Sequence, residues 1–363
     1  MIRNCLLGGL CAALLAACST VPLHTSTPPA PAPKTAADAV IAEAWVSDPS
    51  DGDELDSLAA WPTETGQVWL IASAKATHRL VVYDADTGQR LRTVGGPGTA
   101  VGQFNRPNGI AVFGDLLFVA ERDNHRVQAF RLPEFAPLGA FGADVLRAPY
   151  GLWVHETGPG ELELLVTDSF MADFRTMTLP PMQELDGRVK RFRVRVEDGG
   201  RLEARLLEQF GDTGAAGALR MVESIAGDPA HDRLLIAEED RRVGSTLRVY
   251  TLDGRYSGRS LPVFDADAEG VALWACTAED GYWIAVDQLT PTRFRVFDRA
   301  TLAAAGVFSG RVTANTDGEA VFASPTPRFP AGALFALHND VSLAAFDLRD
   351  VAAALKLRED CVR

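Results

Sequence analysis

A three-part pattern recurs six times in the same order between residues 50 and 350. Each copy has a short strand of small residues, then an apolar strand that turns polar, then an apolar strand ending in an aromatic residue. Those aromatic residues stand 47, 62, 58, 47 and 49 positions apart. They are Tyr83, Phe130, Phe192, Tyr250, Phe297 and Phe346. Short strands repeated at this period are typical of a β-propeller.

A weaker fourth strand follows most copies, so each period supplies a four-stranded blade. We therefore predict an all-β fold, a six-bladed β-propeller around a central channel, over residues 40–363. This gives about 54 residues per blade, somewhat above the usual period of propeller repeats. The excess lies mainly in residues 169–188, a segment rich in Met, Pro and Phe that we interpret as a long loop. Separate β-sandwich domains would not explain the six-fold order.

The first residues are typical of a targeting segment. Arg3 precedes a short apolar run, and small residues lead to Cys18, as in a bacterial lipoprotein signal. We predict a signal peptide at 1–17, lipid on Cys18, and a Pro-, Thr- and Ala-rich tether over 18–39. The expected location is the periplasmic face of the outer membrane, or export, with the lipid as the only membrane contact. An ordinary secretory signal is the alternative.

Cys5 and Cys11 leave with such a signal, and Cys18 carries lipid, so two of the five cysteines remain. These are Cys276 and Cys361. An oxidising compartment permits a disulfide between them that pins the C-terminal tail to the ring. Two unpaired cysteines are the alternative.

One residue immediately before each first strand is expected at a single mouth of the channel. The six residues are Asp56, Asn108, Tyr150, Glu223, Glu269 and Asp317. Four of them are carboxylates, which repel one another unless a cation neutralises them. Oxygen ligands of this kind suit Ca²⁺ or Mg²⁺ and not zinc.

The second strands are expected to end at the same mouth, where acids and bases alternate. Their terminal residues are Lys75, Arg122, Glu238, Glu239, Asp287, Gln288, His338 and Asn339. Asp267 lies two residues before Glu269, on the same side of an extended backbone. The alternative interpretation is an ordinary polar rim in which Asp and Asn side chains only stabilise turns.

The formal net charge of −13 argues against nucleic acid as a partner, because phosphate backbones are repelled by an acidic surface. We expect a monomer.

Two stretches, residues 222–240 (VESIAGDPAHDRLLIAEED) and residues 265–299 (DADAEGVALWACTAEDGYWIAVDQLTPTRFRVFDR), resemble motifs of the β-propeller phytases. That family comprises six-bladed, calcium-dependent enzymes that release phosphate from inositol hexakisphosphate. Asn315 to Gly318 and the segment FPAGALFALHND (329–340) support the likeness, which covers most of residues 50–350.

The resemblance implies a role for each matching residue. Expected Ca²⁺ ligands are Glu223, Asp267, Glu269, Gln288, Asp317 and Asp56. Expected catalytic residues are Asp267, Glu269, Asp317, Arg122 and Lys75. Expected substrate-binding residues are Lys75, Arg122 and Tyr150. His338 stands where the family has Gln, and it is a fourth expected substrate-binding residue because its strand ends at the same mouth. The implied partner is a phosphorylated small molecule such as an inositol phosphate, and the implied reaction is attack of a metal-activated water on a phosphomonoester.

Residues 102–130 (GQFNRPNGIAVFGDLLFVAERDNHRVQAF) resemble something else, an NHL repeat, which is a common blade of binding propellers. A non-catalytic NHL-like lipoprotein that binds a ligand or protein is therefore one alternative function. A calcium-dependent lactonase-type propeller is another.

Overall fold

The computed structural model describes residues 37–197 and 199–363. The predicted signal peptide, Cys18 and most of the predicted tether lie outside these ranges. Within them the chain forms twenty-five strands in six sheets, together with short helices. No helix in these ranges is both long and apolar enough to cross a membrane.

Six sheets form six blades, which confirms the predicted six-bladed β-propeller. Two short strands come first, β1 (Ala39–Val40) and β2 (Trp45–Val46). Blade one is β3 (Leu55–Pro62), β4 (Val68–Ala74), β5 (Arg79–Asp84) and β6 (Arg90–Val94). Blade two is β7 (Pro107–Phe113), β8 (Leu116–Glu121), β9 (Arg126–Arg131) and β10 (Ala136–Phe141). Blade three is β11 (Pro149–Gly158), β12 (Glu161–Asp168), β13 (Val189–Val196) and β14 (Leu202–Phe210).

The remaining blades follow the same antiparallel order. Blade four is β15 (Val222–Asp228), β16 (Arg233–Glu238), β17 (Thr246–Tyr250) and β18 (Tyr256–Ser260). Blade five is β19 (Ala268–Ala275), β20 (Gly281–Asp287), β21 (Arg293–Asp298) and β22 (Ala304–Ser309). Blade six has three strands from its own repeat, β23 (Glu319–Phe322), β24 (Ala333–His338) and β25 (Ser342–Asp347).

The N-terminal segment completes the ring. Strand β2 pairs with β25 and so supplies the fourth strand of blade six, with Trp45 opposite Ala345. Strand β1 adds a fifth strand to blade five by pairing with β22. The boundary predicted between residues 39 and 40 falls inside β1.

The core of the ring lies between neighbouring blades. Among the described residues, the buried apolar side chains form six clusters, each shared by two adjacent blades. The aromatic residue of every third strand is at most 3% exposed. These side chains fill the wedge between sheets, which explains why an aromatic residue recurs at that point in the repeat.

The C-terminal tail folds against blades five and six. Helix α1 (Leu348–Leu355) follows β25 directly, and Asp347 caps it by accepting a hydrogen bond from the backbone N–H of Arg349. Beyond it, Cys361 forms a disulfide with Cys276, so of the two alternatives the structure has the pinned tail. The insertion between β12 and β13 is a loop containing one short 3₁₀ helix, Met182–Gly187.

Candidate functional site

The first strand of each blade lines the channel, and it is irregular where the mouth residue lies. In blades one to five the register with the second strand shifts across this residue, as between Leu55 and Leu58 or between Val222 and Ile225. A bulge of this kind redirects a side chain that regular alternation would send into the blade. Four of the six predicted mouth residues line a cavity of about 210 Å³ in the channel. They are Asp56, Tyr150, Glu223 and Asp317.

The residue after each mouth position is small because the next blade passes very close. A β-carbon at Gly151 would lie 2.6 Å from the carbonyl oxygen of Glu223. One at Gly318 would lie 2.6 Å from that of Asp56. The repeated pairing of a polar residue with a small residue therefore has two causes: the polar group faces the channel, and the small group lets the blades meet.

Three carboxylates form the tightest group at the mouth. One oxygen each from Glu223, Glu239 and Glu269 lies within 4.8 Å of the other two. The carboxyl groups of Glu239 and Glu269 are hydrogen-bonded to each other. Two carboxyl groups can do this only by sharing a proton, and a cation in the same place would satisfy both oxygens. The donors are all hard oxygen atoms, which fit Ca²⁺ or Mg²⁺.

The electrostatics of the group are those of an uncompensated acidic cluster. Burial, followed by the charge of Glu269, raises the pKa of Glu223 well above its usual range. Burial and the charge of Glu223 do the same to the pKa of Glu239. Burial, together with Asp56, raises the pKa of Asp317 to about 7. The cluster thus holds protons at neutral pH unless positive charge is supplied.

Lys75 supplies part of that charge from the first blade. Its Nζ lies 2.7 Å from Asp56 and 3.5 Å from Asp317. Burial alone would lower the pKa of Lys75, but these two carboxylates outweigh it and raise that pKa. Gln288 donates a hydrogen bond to the second oxygen of Asp317. Four predicted site residues are therefore brought together beside a fifth, Glu223.

Arg122 and Tyr150 form a second polar group beside the cluster. The guanidinium of Arg122 lies 2.7 Å from Asp123 and close enough to the hydroxyl group of Tyr150 to affect its pKa. Asp267 lies at the outer rim, where its two oxygens are 2.5 and 2.7 Å from Arg241. The predicted ligand Asp267 is therefore engaged by a guanidinium and is not one of the three clustered carboxylates, although its charge contributes to raising the pKa of Glu239.

Four second strands end in a fully buried acid that holds the backbone. Each accepts N–H groups from the segment leading to the first strand of its own blade. These acids are Glu121, Asp168, Glu238 and Asp287. The prediction that Glu238 and Asp287 face the mouth was wrong, because their oxygens are taken by these bonds.

In blade six His338 occupies the corresponding position. Its Nδ1 accepts a hydrogen bond from the backbone N–H of Ala314 at 3.1 Å, which ties down the segment before β23. His338 is not among the described residues that line the channel cavity or the neighbouring cleft. The neighbouring Asn339 is the exposed residue at that strand end.

Glu239 was recognised as a rim residue but was not among the predicted ligands. The signal for it is strand alternation: Glu238 and Glu239 are consecutive, so only one of them can be buried in the blade. The backbone N–H of Glu239 donates a hydrogen bond to the carbonyl oxygen of Met221. In blade one the backbone N–H of Lys75 donates to the carbonyl oxygen of Glu54 in the same way. The residue just after the second strand is thus the one at the mouth.

Glu319 is a channel residue that the sequence analysis missed. It lies at the position where the other five blades carry an apolar residue in the channel wall. Those residues are Leu58, Ile110, Leu152, Ile225 and Val271. Both carboxyl oxygens of Glu319 are buried with no side-chain hydrogen-bond partner in the described part of the chain, and burial raises its pKa well above the usual range.

Comparisons with known proteins agree with this architecture. The NHL repeat model matches residues 104–130. The crystal structure of a nidogen/laminin complex contains a chain that superimposes with a TM-score of 0.51 at 14% identity, covering 75% of this chain and 87% of that one. Hydrazine synthase from Kuenenia stuttgartiensis gives a TM-score of 0.48 at 12% identity, covering 82% and 96%. No curated protein sequence matches. The chain is a six-bladed β-propeller with an NHL repeat, and likeness at these identities concerns fold alone.

Proposed function

We propose that the channel mouth is a calcium-dependent phosphomonoester hydrolase site of the phytase type. The observation that carries the proposal is the group of Glu223, Glu239 and Glu269, whose ligand oxygens lie within 4.8 Å of one another. The positively charged side chains of Lys75 and Arg122 lie beside this acidic group, and such side chains can bind an anionic substrate. The resemblance of residues 222–240 and 265–299 to β-propeller phytases points the same way.

Glu223, Glu239 and Glu269 would hold the metal, with Asp317, Gln288 and Asp56 beside them. Bound Ca²⁺ supplies the charge that attracts phosphoryl oxygens and lowers the pKa of a coordinated water.

The other residues then have separate tasks. Arg122, oriented by Tyr150 and Asp123, donates to phosphoryl oxygens and stabilises the charge that develops on them. Asp317, which receives a hydrogen bond from Gln288 and lies beside the metal-binding group, would act as the general base. Lys75 holds the carboxylates of Asp56 and Asp317 in place.

Phosphate release by the full chain tests the proposal. With millimolar Ca²⁺ we expect release from inositol hexakisphosphate or a simpler phosphomonoester, and loss of release with a chelator. Glu269→Gln should reduce the rate at least a hundredfold, while the exposed Glu203→Gln on β14 serves as control. No release from any phosphomonoester, or equal release with chelator, would contradict the proposal.

A second candidate is a non-catalytic NHL-type propeller that binds a ligand at the same mouth. The NHL match over residues 104–130 favours it. Saturable binding of a phosphorylated ligand without any turnover would select this candidate.

A further inference from the structure

A cleft of about 440 Å³ adjoins the carboxylate cluster on the side of blades two to four. Tyr150 and Glu223 line both this cleft and the channel cavity. A ligand whose phosphate group lies at the mouth would therefore extend into the cleft. The side chains that line the cleft then determine which chemical groups the rest of that ligand can carry.

One wall of the cleft is apolar and comes mainly from the insertion between β12 and β13. We call it the methionine shelf. It consists of Met171, Phe174, Met177 and Met221. Three of the five methionines of the chain are in it. Phe174 and Met177 are 45% and 43% exposed, which is unusual for large apolar side chains beside a polar site.

The cationic groups of the cleft are few and already engaged. Arg122 lies 5.8 Å from the ring of Phe174 and is paired with Asp123. Arg147 stacks at 3.9 Å on Phe170 and lies 3.2 Å from Glu184. His125 bonds the carbonyl oxygen of Arg147 through Nδ1. Each positively charged group that lines the cleft thus already has a carboxylate, carbonyl or aromatic partner.

This distribution of charge does not suit a ligand with phosphates on every side. Phosphates placed on the shelf would lose hydration without gaining partners, which is costly. An aromatic or aliphatic group placed there removes apolar surface from water on both partners. Methionine side chains adapt to irregular apolar shapes, so the shelf suits a class of such groups.

We infer that the substrate is a phosphomonoester whose alcohol part carries an aromatic or aliphatic group, and that this group lies on the methionine shelf. The inference rests on the proposed function, since it assigns the leaving group of that reaction. In the hydrolysis, water oxygen bonds to phosphorus as the ester P–O bond breaks, and the alcohol leaves with a proton.

Phosphonates that cannot be hydrolysed separate this inference from the proposed function. Calorimetry on the full chain with millimolar Ca²⁺ would compare phenylphosphonate with methylphosphonate. We expect phenylphosphonate to bind about tenfold more tightly, because only its ring can occupy the shelf. The ratio needs no turnover, so it is measurable whether or not phosphate is released from any ester.

Replacing the exposed shelf residues locates the effect. Phe174→Ser with Met177→Ser should bring the ratio of the two affinities close to one. Leu91→Ser is the matched control, because Leu91 is also 45% exposed but lies on β6 of blade one. Equal affinities in the wild type, no binding of either phosphonate, or a ratio unchanged in the double variant would overturn the inference. So would inositol hexakisphosphate being hydrolysed with a lower KM than 1-naphthyl phosphate.

Discussion

The carboxyl group of Glu319 interrupts a ring of apolar side chains inside the channel. The equivalent residues of the other blades, such as Leu58 and Ile110, bury carbon atoms at the same depth. An unpaired buried carboxyl group costs free energy because it gives up water and gains no partner. In the residues described, neither oxygen of Glu319 has a side-chain hydrogen-bond partner.

Glu319→Leu should therefore stabilise the protein. We expect the free energy of unfolding in urea at pH 7 to rise by about 1–3 kcal/mol. Glu203→Leu, an exposed glutamate on β14, should change it by less than about 0.5 kcal/mol. A destabilised Glu319→Leu variant would mean that the carboxyl group has a partner in solution.

The sequence does not show in which direction a side chain points, and this limited the prediction of individual site residues. The position immediately before each first strand identified Asp56, Glu223, Glu269 and Asp317 as a converging acidic set. It could not separate Glu239, which faces the mouth, from Glu238, whose oxygens are used by the backbone N–H groups of Arg220 and Met221. That choice depends on strand register, which the composition of the strand end does not reveal.

At the scale of elements, the sequence repeat predicts the strands that belong to it. It does not predict β1 and β2, which lie outside the repeat. The first, second and third strands of every blade were predicted because each has its own apolar and small-residue pattern. Strands β1 and β2 were not, because two residues have no periodicity. Their partners are also far away in sequence, as Trp45 is from Ala345. Helix α1 begins at Leu348, directly after β25, and is likewise outside the repeat.

The disulfide and α1 together hold the tail on the ring. Cys361 and Cys276 are 85 residues apart in sequence, so the bond removes much of the freedom of the unfolded chain. Cys361→Ser should lower the free energy of unfolding by about 2–4 kcal/mol. Urea unfolding under non-reducing conditions measures this.

Reduction provides the control for that variant. Dithiothreitol should bring the wild type to the stability of Cys361→Ser and leave the variant unchanged. Equal stability of the oxidised wild type and the variant would contradict a structural role for the bond.

At the scale of the whole molecule, the acidic mouth makes stability depend on pH. Glu223, Glu239 and Asp317 have pKa values raised by burial and by one another. Acids raised in this way are fully stabilising below their unfolded pKa of about 4, and that contribution is lost as pH rises through their folded values. For Asp317 that value is about 7.

With chelator present, the melting temperature should therefore fall between about pH 5 and pH 7.5. Acids whose pKa is lowered, such as Asp53 and Asp228, finish titrating below this window. Glu269→Gln should flatten the fall because it removes one charge from the cluster. A melting temperature that stays constant or rises across the window would show that the acids are not coupled as described.

Calorimetric titration of the full chain with Ca²⁺ tests the central claim, that Glu223, Glu239 and Glu269 form a cation site. We expect saturable binding by the wild type and an affinity at least tenfold weaker in Glu239→Gln, while Glu203→Gln binds as the wild type does. Absence of saturable binding at millimolar Ca²⁺, or equal affinity in Glu239→Gln, would contradict the claim.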